Sequence, residues 1–275
     1  MKNSKLKHNS LLKNTNFIIG LVMVSIILIL FIVGLFYLPY DPNKIIVDNQ
    51  LLPPSIKHLL GTDDLGRDIL SRLMVGTRTS LLIGGSVVVI GLVFGTMIGG
   101  IAGYYGGIID TIIMKIIDVQ MSFPGILIAL MVIAIFGSST INIILALSIM
   151  ALPKFARMAR SGFIKYKEAD FIKAAKCRGA SDLRIMVCHI LPNIASISFA
   201  TASLNFATAI VSEAGLSYIG LGTSLSTASF GKMLSDAQKC MLQAPHYVFI
   251  PIIAITLLVM GFHLIGDGLQ ECSQS

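Results

Sequence analysis

Charged residues are scarce in this sequence. Asp, Glu, Lys and Arg make up 13% of the 275 residues, whereas a soluble domain carries about 25%. Hydrophobic residues make up 55%, and no charge occurs between Arg78 and Asp110. This shortage excludes an ordinary soluble domain, because so large an apolar surplus needs lipid around it. The sequence therefore predicts an all-α polytopic membrane protein.

Paired cysteines and a nucleotide-binding motif are also missing. The four cysteines include no CxxC pair, and Cys177 and Cys188 lie in a basic segment that we place in the cytosol, where disulfides are rare. The pair Gly231-Lys232 lacks the upstream glycine and the following Ser or Thr of a P-loop. We expect no disulfide and no ATP hydrolysis by this chain, and we assign no catalytic or metal-binding residue.

The net charge of +7 does not indicate nucleic acid as a partner. The basic residues are concentrated in two segments that flank apolar spans, as an orientation signal would be. Four lysines lie in residues 1–16 and nine Lys and Arg in 154–193, but only two lie in 213–246. By the positive-inside rule, both termini and the segment 165–193 are predicted to be cytosolic.

About six apolar segments are long enough to cross a bilayer. The first run is too long for the apolar region of a signal peptide and has no cleavage site, so we predict an uncleaved helix. We divide the chain into a tail (1–16), a first span (17–38), an extracytoplasmic segment (39–77), a core (78–267) and a second tail (268–275). Further spans are predicted near 119–136, 141–153, 194–212 and 244–266, and residues 104–118 are predicted to connect two of them.

The extracytoplasmic segment ends in an amphipathic stretch. Four apolar residues recur at helical spacing: Ile69, Leu70, Leu73 and Met74. Arg67, Asp68 and Arg72 are predicted to lie off that face. We predict a short interfacial helix that leads into the next span.

Glycines recur at every fourth position of the second span. Gly91, Gly95, Gly99 and Gly103 share one helical face, and Gly107 continues the register. Because glycine has no side chain, another helix backbone can approach that face closely. The pattern predicts tight packing against a neighbouring helix.

The segment 165–193 is polar and basic between apolar runs. We predict a helix over 165–178, with Phe171, Ala174, Ala175 and Arg178 on one side, ended by a left-handed residue at Gly179. Ser181 is the predicted N-cap of a second helix, and Asp182 suits the positive end of that helix dipole. Leu191-Pro192 is expected to redirect the chain into the next span. The result would be a stiff helix–turn–helix rather than a solvated tether.

This segment resembles the cytoplasmic coupling loop of ABC-importer permeases. Their pattern runs EAA, three residues, Gly, nine residues, Ile-x-Leu-Pro, and Lys173-Ala174-Ala175, Gly179 and Leu191-Pro192 reproduce most of it. Lys173 replaces the usual Glu, and Ile190 is displaced by one position. The resemblance still implies that this loop docks an ATPase.

Three further stretches resemble the C-type permease of dipeptide, oligopeptide and nickel importers. They are GTDDLGRDILSRLMVGTRTSLLIG (61–84), AGLSYIGLG with the later FGKML (214–222 and 230–234), and LIGDGLQE (264–271). Phe230 stands where the family usually has Trp, and Ser224–Ala228 lacks the usual prolines. Both departures lie in a loop on the outer side, where a binding protein would dock.

The resemblance implies a type I ABC-importer transmembrane domain in a bacterial inner membrane. It implies as partners a homologous second permease, two ATPase subunits that bind ATP and magnesium, and an extracytoplasmic substrate-binding protein. It also implies ATPase contact at ten positions: Asp170, Phe171, Lys173, Ala174, Ala175, Arg178, Gly179, Asp182, Leu191 and Pro192.

The substrate stays open between di- or oligopeptides and nickel or metal chelates, because these importers share the permease pattern. Two other functional classes fit the sequence less well. An intramembrane aspartyl protease needs two acids within the membrane, but Asp267 lies at a span end. A secondary carrier needs ionisable groups at mid-membrane, but Glu213, the acid nearest a span interior, is interpreted as interfacial.

Overall fold

The computed structural model describes residues 14–222 and 227–274, with side chains as far as Glu271. Helices dominate this part of the chain. In order they are α1 (Thr15–Phe36), α2 (Ile69–Tyr105), α3 (Gly107–Met121), α4 (Gly125–Phe136), α5 (Thr140–Lys167), α6 (Asp170–Cys177), α7 (Asp182–Arg184), α8 (Leu191–Tyr218), α9 (Phe230–Gln238) and α10 (Pro245–Gln274). A 3₁₀ turn occupies Val47–Asn49, and a π-helical segment, Ile185–Ile190, joins α7 to α8.

Five helical stretches in the described residues are long and apolar enough to cross a membrane, and the bent pair α3–α4 makes a sixth if it counts as one span. The predicted all-α membrane fold with about six spans is therefore confirmed. The predicted tail 1–16 lies mostly outside the described residues. In the other predicted tail, 268–275, α10 continues as far as Gln274.

The predicted interfacial helix is not a separate element. The chain is helical without a break from Ile69 to Tyr105, and Asp68 caps this helix by accepting a hydrogen bond from the Ser71 amide at 2.8 Å. The prediction that Asp68 and Arg72 lie off the packed face is also wrong, because both are 2% exposed. Their burial is possible because distant residues supply partners for both side chains.

The predicted connection at 104–118 is helical, and the third span is broken. Helices α3 and α4 meet at an angle of 83° across residues 122–124. Pro124 immediately precedes α4. Proline has no N–H for the helix ladder and restricts the residue before it, so Pro124 favours a break at this point.

The fourth span runs well beyond the predicted end at Pro153. Pro153 lies inside α5, which continues to Lys167. An interior proline costs a helix about 3 kcal/mol. Burial of Phe155, Ala156 and Ala159 just after the proline offsets that cost.

The glycine face of α2 lies against α5. A Cβ on Gly95 would lie 2.6 Å from the Phe155 Cβ, and one on Gly103 would lie 2.6 Å from the Arg160 carbonyl oxygen. A Cβ on Gly99 would overlap the Ala156 carbonyl group. Gly91 faces the Phe155 ring in the same way, whereas Gly107 lies beyond the end of α2 and faces open space. The two backbones can therefore approach closely only because these positions carry no side chain.

The described ends of the chain meet at one end of the helix bundle. The Asn14 amide donates a hydrogen bond to the Glu271 carboxylate at 2.6 Å. Gly34, near the end of α1, faces Met74, near the start of α2. Residues 39–68 therefore lie at one end of the bundle. The C-terminus of α2, the start of α1 and the end of α10 lie at the other.

Two glycine-to-alanine substitutions in α2 should distinguish the effect of close backbone packing on stability from the effect of helix propensity. Gly99→Ala forces the α5 backbone away and should lower the free energy of unfolding by roughly 1–3 kcal/mol. Gly85, on the same helix, has nothing within 4 Å of its Cβ position, so Gly85→Ala should leave stability unchanged or raise it by up to about 1 kcal/mol. Thermal midpoints of the purified chain in detergent would show this. Equal midpoints for the two variants would contradict the packing account.

Candidate coupling hairpin and charged cluster

The segment between α5 and α8 forms a short hairpin of two arms, residues 168–190. The predicted helix over 165–178 is divided, because Lys165–Lys167 end α5, and α6 begins only at Asp170 after an extended residue, Ala169. The predicted loop end is also displaced. Leu191, Pro192 and Asn193 already belong to α8.

The turn between the arms has the geometry expected of a glycine cap. Gly179 has a φ of +80°, which is a left-handed conformation that favours glycine. The Gly179 amide donates to the Lys176 carbonyl at 2.9 Å, and the Ala180 amide donates to the Ala175 carbonyl at 3.1 Å. These two bonds form a Schellman motif that ends α6. Ser181 then caps α7 by accepting from the Arg184 amide at 3.4 Å.

Pro192 does not redirect the chain. The helix continues from α7 through the π-helical segment Ile185–Ile190 into α8, with Pro192 in the first turn of α8. A π-helical turn accommodates a residue that cannot donate to the regular ladder. The second arm of the hairpin and α8 thus form one continuous helical stretch, Asp182–Tyr218.

Apolar contacts anchor both arms to the bundle. Ile172 of α6 and Ile185 of the second arm are fully buried. They share one cluster with Ile190 of the second arm and with residues of α2, α5 and α8: Tyr104, Ala159, Phe163 and Ile194. An isolated eight-residue helix is unstable in water, so α6 depends on this anchorage.

The anchored face of α6 differs from the predicted one. Ala175 is 6% exposed and lies inward with Ile172, so it does not share a free face with the other predicted residues. Phe171 is 42% exposed, and Ala174 and Arg178 are exposed beside it. Phe171, Ala174 and Arg178 are therefore exposed on the part of α6 that does not pack against the bundle.

The remaining predicted contact residues lie around that face. Lys173 is exposed, and its ammonium is 3.5 Å from the Asp170 carboxylate, which is exposed too. Leu191 and Pro192 are exposed at the start of α8. Asp182 is exposed as well, but its carboxylate accepts a hydrogen bond from Tyr104.

Sequence reasoning missed two polar contacts beside the hairpin. The Tyr104 hydroxyl donates to the Asp182 carboxylate at 2.5 Å. The Arg160 guanidinium donates two hydrogen bonds, of 2.5 and 2.6 Å, to the Asp110 carboxylate. The second pair joins α3 to α5. The sequence shows charges near the predicted span ends, but not which of them meet.

A second polar centre lies at the other end of the bundle. The charged cluster consists of Asp63, Arg67, Arg72 and Asp236. Asp63 is fully buried, 2.6 Å from the Arg67 guanidinium and 3.4 Å from that of Arg72. Asp236 lies 3.6 and 3.7 Å from the same two guanidinium groups. The cluster ties residues 39–68 and the start of α2 to α9.

Asp236, within the cluster, differs in its surroundings from Asp64 and Cys240, which lie next to it. The Asp236 side chain also lies 3.2 Å from the Lys232 ammonium. Burial, followed by the neighbouring Asp63 and Asp236 charges, raises the pKa of Asp64 above its usual value. Burial is also the main cause of the raised pKa of the Cys240 thiol.

Glu213, interpreted above as interfacial, lies inside the bundle. Glu213 is fully buried inside α8. Its carboxyl group accepts hydrogen bonds from the Ser217 hydroxyl at 2.6 Å and from the Ser80 hydroxyl of α2 at 3.2 Å, and Ser229 also bonds to it. Ser229 is the N-cap of α9. The group therefore joins α2, α8 and α9 just below the charged cluster.

Asp236 and Asp64 should respond in opposite directions to the loss of a charge. Asp236→Asn removes a counter-ion from Arg67 and Arg72 in a buried site. It should lower the free energy of unfolding by roughly 3–5 kcal/mol.

Asp64→Asn removes a carboxylate that is disfavoured when ionised, so it should raise the thermal midpoint near about pH 7.

The pH dependence tests the cause. A raised folded-state pKa means that the ionised carboxylate of Asp64 costs stability above that pKa. The cost vanishes when the carboxyl is protonated in both the folded and the unfolded chain. The advantage of Asp64→Asn should therefore shrink as the pH falls toward and below the ordinary value of 3.8. An unchanged advantage at about pH 3 would refute this explanation.

Comparisons with known proteins agree on one family. The family described as "Binding-protein-dependent transport system inner membrane component" matches residues 95–274. The dipeptide transport system permease protein DppC of Alkalihalophilus pseudofirmus is 41% identical over 94% of this chain and 85% of its own length. The glutathione transport system permease protein GsiD of Pectobacterium atrosepticum is 42% identical over 86% of this chain and 79% of its own length.

The fold has a solved counterpart. A chain of the MetNI methionine ABC transporter, in an inward-facing conformation, superposes with a TM-score of 0.60 over 73% of this chain and 96% of its own length, at 18% identity. That identity supports the fold alone. Together with the family match over 95–274, it confirms the family resemblance and the fold class. The chain belongs to the family of inner membrane components of binding-protein-dependent transport systems.

Proposed function

We propose that this chain is one of two permease subunits of an ATP-driven importer, and that its hairpin binds a separate ATPase subunit. One observation carries the proposal: an anchored hairpin presents an exposed face. Ile172 and Ala175 hold α6 to the bundle, whereas Phe171, 42% exposed, stands clear of it. A solvated connection would not need such anchorage.

The chemistry of the exposed face fits a protein groove. Phe171 and Arg178 are residue types enriched where binding energy is concentrated in interfaces, and Ala174 between them keeps the surface thin. At the position where related motifs have Glu, Lys173 is exposed with Asp170 as a neighbour. We therefore expect the ATPase to contribute an acidic or neutral group at this point.

The arrangement of the ends supports a cytosolic hairpin. The hairpin lies at the end of the bundle where Asn14 meets Glu271. Nine Lys and Arg lie between 154 and 193, which favours the cytosolic side. The charged cluster then lies on the outer side, where an extracytoplasmic binding protein would deliver substrate.

Transport would proceed by alternating access. ATP binding closes the two ATPases and draws together the hairpins of the two permeases, which opens the pathway outward. Hydrolysis separates the ATPases and resets the pathway inward. Because α8 continues directly into the second arm of the hairpin, a force on the hairpin acts on a membrane helix without an intervening loop.

The test is a charge placed on the exposed hairpin face. Phe171→Asp should leave the chain folded in the membrane but reduce co-purification of the ATPase and substrate-dependent ATP hydrolysis by at least about tenfold, the effect of losing one main interface residue. Leu242→Asp is the matched control, because Leu242 is 99% exposed at the other end of the bundle. That variant should still bind the ATPase.

Normal ATPase binding by Phe171→Asp would remove the hairpin from the interface. ATP-independent uptake by this chain alone in vesicles would reject the importer assignment itself. Uptake that follows the supply of ATP and survives dissipation of ion gradients would exclude a secondary carrier.

We propose small peptides as the substrate class. The relatives are named for dipeptide and glutathione transport. With the cognate binding protein present, uptake of a labelled dipeptide should be reduced by an excess of unlabelled di- or tripeptide, and nickel should have no effect. Competition by nickel alone would favour the metal-importer alternative.

A further inference from the structure

Tyr104, near the end of α2, contacts both arms of the hairpin. Its hydroxyl donates to the Asp182 carboxylate on the second arm at 2.5 Å. The ammonium of Lys176, on the first arm, lies 5.3 Å from the centre of its ring. Tyr104 itself is only 8% exposed, whereas Lys176 and Asp182 are exposed.

The bond to Asp182 is well suited to transmit movement. An O–H···O⁻ bond of this length is charge-assisted and among the stronger hydrogen bonds in proteins. Asp182 is the first residue of α7, whose start is held by the Ser181 cap. The carboxylate therefore moves with its arm, and the arm cannot move far without displacing Tyr104 or breaking the bond.

Other hairpin contacts lead mainly to α5 and α8. Among the described members of the apolar cluster that anchors the hairpin, Tyr104 is the one contributed by α2. Phe163 and Ala159 belong to α5, from which the hairpin itself emerges. Through them the hairpin reaches α2 only by way of the α2–α5 packing, whereas Tyr104 joins it to α2 directly.

Helix α2 extends from the hairpin to the charged cluster. It is unbroken over 37 residues, which is about 55 Å at 1.5 Å per residue. Its first turns carry Arg72, which lies 3.7 Å from the Asp236 carboxylate of α9, and farther along it Ser80 bonds Glu213 of α8. Close-packed helices transmit displacement rather than absorb it.

We propose that Tyr104 is a positioning residue that passes movement of the hairpin to α2 and, through α2, to the charged cluster at the far end. The inference rests on the proposed function and names the contact by which ATPase movement reaches the opposite side of the membrane.

The test uses the assembled transporter, with the second permease and both ATPases, in lipid vesicles. Tyr104→Phe removes the hydroxyl and keeps the buried ring. It should leave ATPase binding and basal hydrolysis within about twofold of the wild type, but reduce stimulation by substrate-loaded binding protein at least about fivefold. Tyr105→Phe is the matched control, since Tyr105 is 54% exposed one residue farther along. It should behave as the wild type.

Cys240 supplies a readout at the far end. It lies close enough to Asp63, Asp64 and Asp236 for their charges to act on its thiol. In a background with the other three cysteines changed to Ser, its rate of alkylation should change when a non-hydrolysable ATP analogue is added. Tyr104→Phe should abolish this nucleotide response without altering the rate in its absence, whereas mere loosening of the fold would alter both.

A double-mutant cycle assigns the effect to the bond. Because Asp182 is also a predicted ATPase contact, stimulation is expressed per bound ATPase. On that scale Asp182→Ala should reduce stimulation as far as Tyr104→Phe does, the two together should be no worse than either alone, and Asp182→Asn, which keeps an acceptor, should retain most of the stimulation. Wild-type stimulation in Tyr104→Phe, or fully additive effects, would overturn the inference and leave the proposed function standing. A Cys240 rate that ignores nucleotide in an actively transporting wild type would overturn the connection to the cluster. Failure of the wild type to bind the ATPase would instead reject the proposed function.

Discussion

The close approach of α2 and α5 is the interaction on which the rest of the structure depends. In lipid there is no hydrophobic gain from bringing two apolar helices together, so their association depends on van der Waals contact between surfaces that fit. Gly95, Gly99 and Gly103 provide that fit, because α5 backbone atoms occupy the space where their side chains would be. Helix α5 carries the hairpin at one end of the bundle, and α2 carries Arg72 at the other. One seam of small residues therefore joins both polar ends.

The charged side chains described above lie near the two ends of the bundle. The charged cluster joins the start of α2 and the residues just before it to α9, and the pair Arg160–Asp110 lies near the hairpin. Glu213 is the exception, since it is buried within a membrane helix. Three serine hydroxyls, from α2, α8 and the cap of α9, satisfy its oxygens. An unsatisfied carboxyl group at this position would be costly. Its environment therefore fixes α9 over the bundle.

Features that depend on residues close together in the sequence were predictable from it, whereas features that depend on distant residues were not. The left-handed turn at Gly179 and the small face of α2 depend on residues close together in sequence, so spacing was sufficient to predict them. The burial of Arg72 depends on Asp236, and the bond of Tyr104 depends on a residue 78 positions away. Periodicity identifies an apolar face, but it contains no information on a charge supplied by a distant segment. The break at Pro124 and the continuation through Pro153 show the same limit, because neighbouring helices decide whether a proline ends a helix.

The inward position of Ala175 explains why the hairpin can serve two purposes. Helix α6 is too short to be stable alone, and it needs a face that packs against the bundle. Ile172 supplies the apolar area, and the small Ala175 one turn later lets the helix lie close to the cluster around Phe163. The face that remains, with Phe171 and Arg178, contributes little to folding. In the proposed function a partner would bind that face without competing with the contacts that hold the hairpin to the bundle, and a displacement of the hairpin would reach α2 and α8 through those contacts.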